Sequence, residues 1–253
     1  MLLRTLLPGS LLLILLAGSF GGAQNMGALF SSAADGTPRA DGSEFVFARL
    51  RYSAPAWDTD WWEADSHFML GMDRLTNIRV LLDDYVSVGP SEPALFDYPL
   101  VYAVEVGRWY LSQNDADRLR EYMERGGFLV VDDFWGTLQW QYFYRELVKI
   151  FPDREVEPIP PSHPVFHSFY DIDEILQVPS IRICRGGTTS QQDGYTPHAL
   201  GIFDDNRRLM MAINFNTDLG DAWEHADDPC YPHMYSGFAY RMGINFIVYA
   251  MAH

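Results

Sequence analysis

Four strand-like stretches rich in β-branched and aromatic residues divide the first half of the chain, at residues 44–52, 78–82, 98–104 and 128–131. The last of them, Phe128-Leu129-Val130-Val131, has no polar alternation at all, as a strand covered on both faces requires. The segments between carry a different period. Residues 64–77 set Phe68, Met72 and Leu75 on one helical face. Ser112 and Asp115 have the spacing of a capping box, with Ala116, Leu119 and Met123 pointing inward behind them and Gly126 supplying a left-handed end. Residues 137–151 align Trp140, Phe143, Leu147 and Ile150 before Pro152 stops the helix. Strands alternating with helices on short connections predict an α/β fold with a doubly wound, mostly parallel sheet.

The second half is patterned differently. Pro158, Pro160, Pro161, Pro164 and Pro179 interrupt a long stretch, and residues 181–184 suggest a short strand. Residues 198–203 and 209–215 flank the turn cluster Asp204-Asp205-Asn206 and predict a β-hairpin extension. A polar loop over 216–232 leads to a last helix over 234–251.

The amino terminus changes the domain picture. A basic start at Arg4, an apolar stretch through Leu16 and small residues up to Ala23 predict a secretory signal over residues 1–23. Pro8, Gly9 and Ser10 interrupt that stretch, which falls short of the ~20 residues of a bilayer span. A flexible lead over 24–43 and one α/β domain over 44–253 follow, with no integral membrane span in the mature chain. The expected address is periplasmic or extracellular. Cys184 and Cys230 are open to a disulfide there. A core of this size does not need one, so the reading leans towards two unpaired, buried thiols.

Charge narrows the partners. Lys and Arg number 18 against 34 Asp and Glu, a net charge of −16. So acidic a chain excludes nucleic acid, whose phosphates demand a basic face. Cations, sugars and a basic protein partner remain.

Candidate chemistry gathers where strands stop. Ligand sites in open α/β sheets lie beyond the carboxyl ends of the strands, and Asp132-Asp133 sits there, followed by Trp135. The loop after the first strand carries Asp58, Asp60 and Trp61, and the segment 214–224 carries Asn214, Asn216, Asp218, Asp221, Trp223 and Glu224. Ligand-binding residues are therefore expected among Asp58, Asp60, Trp61, Asp132, Asp133, Trp135, Asn216, Asp218, Asp221, Trp223 and Glu224, meeting over one crevice. The bland alternative has Asp132 or Asp133 capping a helix or pairing with an arginine. Asn214, Asn216 and Asp218 alternate like the opening of a calcium loop, but Gly220 and Glu224 are each one place out of the EF-hand pattern. No cofactor is expected, a divalent cation at this stretch being the weaker reading. His163 and His167 lack an HExxH or cysteine partner and fit local structural roles better. No GxSxG elbow, P-loop or dinucleotide fingerprint occurs.

At Val104-Glu105-Val106-Gly107, Leu111-Ser112, residues 126–136 (GGFLVVDDFWG) and residues 214–224 (NFNTDLGDAWE), the chain resembles the bacterial domain-of-unknown-function family numbered 4159, over roughly residues 45–250. The resemblance implies a fold of the class I glutamine amidotransferase-like type, akin to trehalose-utilisation domains. It places a nucleophilic cysteine on the turn after the strand matched by 128–131. This chain has Asp132, Asp133 and Phe134 there, so thiol-dependent amide hydrolysis is not expected and no catalytic residue is implied. Envelope proteins with von Willebrand-type domains, accompanied by MoxR-type ATPases, are the partners implied. Two functions follow: an exported, non-catalytic ligand- or partner-binding domain of the cell envelope, or a cation-dependent hydrolase acting on an envelope sugar or peptide.

Overall fold

The computed structural model describes residues 42–82 and 86–253. The expected signal, most of the expected lead and the Asp83-Asp84 pair lie outside the described residues. Among those described, seven strands form one mixed sheet. They are β1 (Ala48–Leu50), β2 (Val86–Val88), β3 (Leu100–Val104), β4 (Phe128–Asp132), β5 (Glu157–Pro158), β6 (His198–Phe203) and β7 (Leu209–Phe215), in the spatial order β2-β1-β3-β4-β7-β6-β5. The five from β2 to β7 pair in parallel, and β6 and β5 add antiparallel pairs at the far edge. The hairpin of β6 and β7 is as expected, with β7 joined in parallel to β4.

Alternation along the central strands assigns the two faces. Phe128 and Val130 enter one apolar layer with Leu100, Tyr102 and Val104; Leu129 and Val131 enter the other with Val101 and Ala103. The first layer is covered by α1 (Glu63–Leu75), α4 (Leu219–Glu224) and α5 (His233–Ala252), and the second by α2 (Gln113–Glu124) and α3 (Gly136–Ile150). All of residues 128–132 are buried, which explains why that run carries no polar alternation.

The capping box at the start of α2 forms, with the Ser112 side chain accepting from the Asp115 amide and the Asp115 carboxylate accepting from the Ser112 amide. At the other end Gly126 takes φ 113°, and the amides of Gly126 and Gly127 return to Met123 and Tyr122 carbonyls. A left-handed residue there turns the chain straight into β4.

Several expectations need correction. The second strand lies at Val86–Val88 and not at 78–82, where only an isolated bridge pairs Phe45 with Val80. A step of three residues from Phe45 to Ala48 is matched by six from Val80 to Val86, so the pairing is interrupted between them. β1 itself is limited to three residues. Residues Ile181–Arg185 form a 3₁₀ turn and not a strand, closed by Gly186 at φ 77°. The loop expected at 216–232 contains α4, a six-residue helix. Leu75, expected to point inward, is exposed. The cysteines are paired: Cys184 and Cys230 form a disulfide with Cα atoms 5.2 Å apart. That link is not needed to make a core. It fastens the 3₁₀ turn to the segment before α5.

Candidate functional site

The carboxyl edge of the sheet is where polar groups leave solvent. β1 contributes Arg49 on the same face as Phe47, buried beside the Tyr102 ring, with its carbon Cζ 5.3 Å from the ring centroid. An unpaired guanidinium could not remain there. Its Nε and Nη2 hold the Asp65 carboxylate of α1 at 2.7–3.1 Å, and Nη1 donates to the Thr59 carbonyl at 2.7 Å. That last bond fixes the loop after β1, and with it Asp60, which sits at φ 56°.

β3 and β4 are each followed directly by an acid held in the left-handed region, Glu105 at φ 50° and Asp133 at φ 50°. Asp132, one step earlier, still belongs to the strand and faces the α1/α4 layer. Its Oδ2 accepts from the Tyr102 hydroxyl at 2.6 Å and from the Leu219 amide, the first of α4, at 2.7 Å. Its Oδ1 has no hydrogen-bond partner. Asp218, the N-cap of α4, accepts at Oδ1 from the Asp221 amide at 2.9 Å. Asp221 in turn accepts from the Ile181 amide at 2.8 Å, which ties the disulfide-linked turn to α4. Asp133 accepts from the Trp135 indole N–H at 3.0 Å.

The exposures of Asp132, Asp133, Asp218 and Asp221 are 0, 6, 2 and 7%. Burial is the largest influence on the carboxyls of this group whose pKa shifts, with the neighbouring acids adding to it. Asp60 is pushed up to about 8 by burial and then by Asp221, and Asp132 up to about 7 by burial against the opposing pull of Tyr102 and nearby amides. Asp133 and Asp218 are raised well above the ordinary carboxylate range, by burial first and then by Glu105 and Asp133 respectively. Glu224, half-buried, is raised to about 7 by burial and by contact with Glu63. The group can hold protons at neutral pH or it can hold a cation. It is too enclosed to be the wall of an open groove.

Of the expected ligand-binding residues, the structure therefore brings Asp60, Asp132, Asp133, Asp218, Asp221 and Glu224 together. The others do not line the cluster with a free polar group or ring face. Asp58 is exposed on the loop surface. Trp61 packs against Trp57 with centroids 4.9 Å apart. Trp135 and Trp223 are buried, Trp223 stacked on Phe68 at 4.2 Å, and neither offers a free face. Asn216, at φ 63°, turns out of the alternation expected of a calcium loop; its Oδ1 caps α3 by accepting from Gly136 and its Nδ2 donates to Thr196. The start of α3 is thus satisfied from outside, by Asn216 and by Asp193 on the Thr137 amide. Asp132 does act as a cap, but for α4 and not for the helix that follows it.

Residues that the sequence reading passed over are Arg49, Asp65, Tyr102 and Glu105. A charged side chain in the middle of an apolar strand was the available signal for Arg49, since such a group must find a buried partner. His163 and His167 have local partners, the Val165 amide for the first and Asp171 with the Pro161 carbonyl for the second. A separate surface cleft of about 400 Å³ lies between α1 and α5, lined in part by His67, Arg74, Asp227 and Tyr240. None of the clustered acids lines it. Among the described residues no helix is long and apolar enough to cross a membrane.

The chain belongs to the family described as Domain of unknown function (DUF4159), whose model matches residues 46–251. No curated protein matches it.

Proposed function

We propose that this member of the family is an exported, non-catalytic ligand- or partner-binding domain of the cell envelope, on a class I glutamine amidotransferase-like scaffold that lacks the nucleophilic thiol. The observation that carries the reading is the turn after β4. Asp133 takes the left-handed conformation there, at the place the resemblance gives to the nucleophile, but it is buried and its carboxylate is bound by the Trp135 indole. Both cysteines are tied to each other elsewhere. A buried carboxylate already bound by an indole N–H is a poor starting point for covalent catalysis. The parallel strands β2-β1-β3-β4-β7, layered on both faces, support the doubly wound scaffold. The disulfide supports an oxidising compartment and hence export. Envelope proteins with von Willebrand-type domains remain the partner class that the family resemblance suggests.

The test is an assay of the purified chain, disulfide intact, for ammonia release from glutamine and for hydrolysis of peptidoglycan fragments, with and without divalent cations. No turnover is expected under any of these conditions. Cation-dependent turnover lost in Glu224→Gln or His225→Ala would replace this reading with the second one, a hydrolase of an envelope sugar or peptide. The specific observation favouring that alternative is that Asp221, Glu224 and His225 bring one ligand atom each within 4.8 Å of one another on the more exposed side of α4. Export is tested by fractionation and amino-terminal sequencing, with loss of about 23 residues expected.

A further inference from the structure

Acid clusters are common, and at a protein surface most hold nothing. In this one Asp218 and Asp221 are buried and Asp60 partly so, and two further observations bear on what it holds. Asp60 Oδ2 and Asp132 Oδ1 are shielded from solvent and have no hydrogen-bond partner, and Asp132 as a whole residue is 0% exposed. Buried carboxylate oxygens without a partner are rare, because each bears its full desolvation cost. The second observation is Gly220. A Cβ built there would lie 3.1 Å from Asp60 Oδ2, 3.7 Å from Asp218 Oδ1 and 3.7 Å from the Tyr102 hydroxyl that holds Asp132. Two carboxylates and a tyrosine hydroxyl, from three separate segments, thus close around a backbone position with no side chain. Glycine inside a helix is less stable than alanine by roughly 0.5–1 kcal/mol, so its presence in α4 is explained by the space it leaves.

We propose that Asp60, Asp218 and Asp221 bind one hard divalent cation, calcium being the best fit, beside Asp132, whose Oδ2 accepts from the first amide of the same helix. The three contribute carboxylate oxygens that all lie within 4.8 Å of one another. An ion with oxygen ligands at about 2.3–2.6 Å spans such a set without large movement. All donors are oxygens, which selects calcium, magnesium or manganese over softer metals. Arg49 attracts Asp60, but it is already paired with Asp65 and offsets only part of the burial and repulsion that raise Asp60. Asp221 faces two ways, since it also approaches Glu224 and His225, whose side chains retain 19 and 22% exposure. They mark the side from which the ion enters. The asparagines of the 214–218 stretch take no part. The proposal stands apart from the amidotransferase-like reading, because binding an ion requires neither that ancestry nor any turnover.

The experiment uses the purified chain with its disulfide intact, stripped with a chelator and then titrated with calcium, magnesium and manganese chlorides by calorimetry and thermal melts. One ion per chain is expected, with a rise of several degrees in Tm. Asp60→Asn and Asp221→Asn should each weaken binding at least tenfold, and Asp58→Asn, on the exposed part of the same loop, should leave it unchanged. Gly220→Ala keeps every carboxylate but fills the space, and should also abolish binding. Terbium, whose luminescence tryptophan sensitises, provides a readout in the unmodified chain should a variant not fold; calcium should displace it. No heat, no Tm change and no terbium signal at millimolar cation would overturn the site, leaving the acids as proton holders. Binding that survives Asp60→Asn, Asp221→Asn and Gly220→Ala would overturn it too, by placing the ion elsewhere.

Discussion

Two helices in this chain begin with an aspartate in their caps, α2 at the third position of a capping box and α4 at the N-cap itself, and they have opposite surroundings. At the start of α2, Ser112 and Asp115 satisfy one another, and the remaining Asp115 oxygen accepts from Ser91. Burial is the largest single influence on the Asp115 carboxyl and raises it, but the Ser112 and Ser91 hydroxyls and the Ser112 amide together outweigh it, and its pKa ends below the ordinary value. At the start of α4, two acids serve one helix end, Asp132 taking the Leu219 amide and Asp218 the Asp221 amide, while a third, Asp221, faces outward to Ile181. Asp60 adds a fourth carboxylate with nothing to cap. One acid suffices to cap a helix. The surplus at α4, kept out of water at a cost in free energy, is what distinguishes a site from a helix end.

Stability against pH should separate the two most strongly. A carboxyl whose pKa is raised in the folded chain binds its proton more tightly there than in the unfolded chain. Its contribution is complete below the ordinary value of 3.8 and is lost as the pH rises through the folded value, about 7 for Asp132. At roughly 1.4 kcal/mol per pKa unit, Asp132 alone corresponds to a loss on the order of 4 kcal/mol across that window. In chelator, denaturant melts should show stability falling from pH 5 to pH 8. Asp115 has the opposite sign, its small contribution disappearing only as the pH falls below the ordinary value. Flat stability from pH 5 to 8 in chelator would mean that the acids at α4 are not buried as described.

The disulfide offers a second way to break the contrast. The 3₁₀ turn at Ile181–Arg185 crosses the edge above α4, held by Asp221 on the Ile181 amide, by the Tyr231 hydroxyl on the Pro179 carbonyl at 2.6 Å, and by the Cys184–Cys230 link. Closing a loop of 46 residues corresponds to about 4 kcal/mol in the chain-entropy account. Cys184→Ala with Cys230→Ala should lower stability by about that amount. Hydrogen exchange should rise at 178–185 and at α4 well before it rises at α2. Uniform loss of protection would show that the link braces the whole fold equally.

How much of this could be read from the sequence follows from the range over which each feature is determined. Phe128–Val131, the capping box at Ser112 and the 198–215 hairpin are local patterns, and each formed where its spacing put it. The strand at 78–82 failed because pairing depends on the partner strand as well as on propensity, and β1 pairs with Val86–Val88 instead, leaving 78–82 a single bridge from Val80 to Phe45. α4 was missed because its six residues carry no helical repeat of their own; it is held by caps from β4 and by Asp218. Strand-end acids were visible as a class, and Asp60, Asp132, Asp218 and Asp221 do meet. Which tryptophans would line the site was not legible, since Trp135 and Trp223 look equally solvent-facing in a run of polar neighbours and are both core. Arg49 and Tyr102, which hold the loop and Asp132 in place, sit inside apolar strands and give no sign of their partners.

Single substitutions at the two caps should show a smaller difference. Asp132→Ala leaves the Tyr102 hydroxyl and the Leu219 amide buried without an acceptor, at about 1–3 kcal/mol for each such group, less the repulsion it relieves. A net loss near 3 kcal/mol is expected. Ser112→Ala, at a solvent-exposed cap, should cost about 1 kcal/mol. Equal losses in urea melts would say that the α4 cap has no burden beyond that of α2.

The smallest effect, and the most telling about Asp133, is expected from Asp133→Asn. Its carboxyl is raised by burial first, then by Glu105, Asp60 and Asp132, while the Trp135 indole pulls the other way. An asparagine oxygen keeps the bond from Trp135 and removes a negative charge from a crowd of them. It also suits the left-handed backbone at φ 50°, which asparagine adopts more readily than most residues. Above pH 7 in chelator the variant should therefore be equal to the parent or more stable by up to about 1 kcal/mol, the gain shrinking as the pH falls and the parent's own acids take up protons. A helix cap would behave in the reverse way, losing stability at every pH. Because Asp133 is not among the three acids assigned to the cation, calcium should still raise the Tm of Asp133→Asn. If it does not, the ion sits deeper along β4 than Asp60, Asp218 and Asp221 place it.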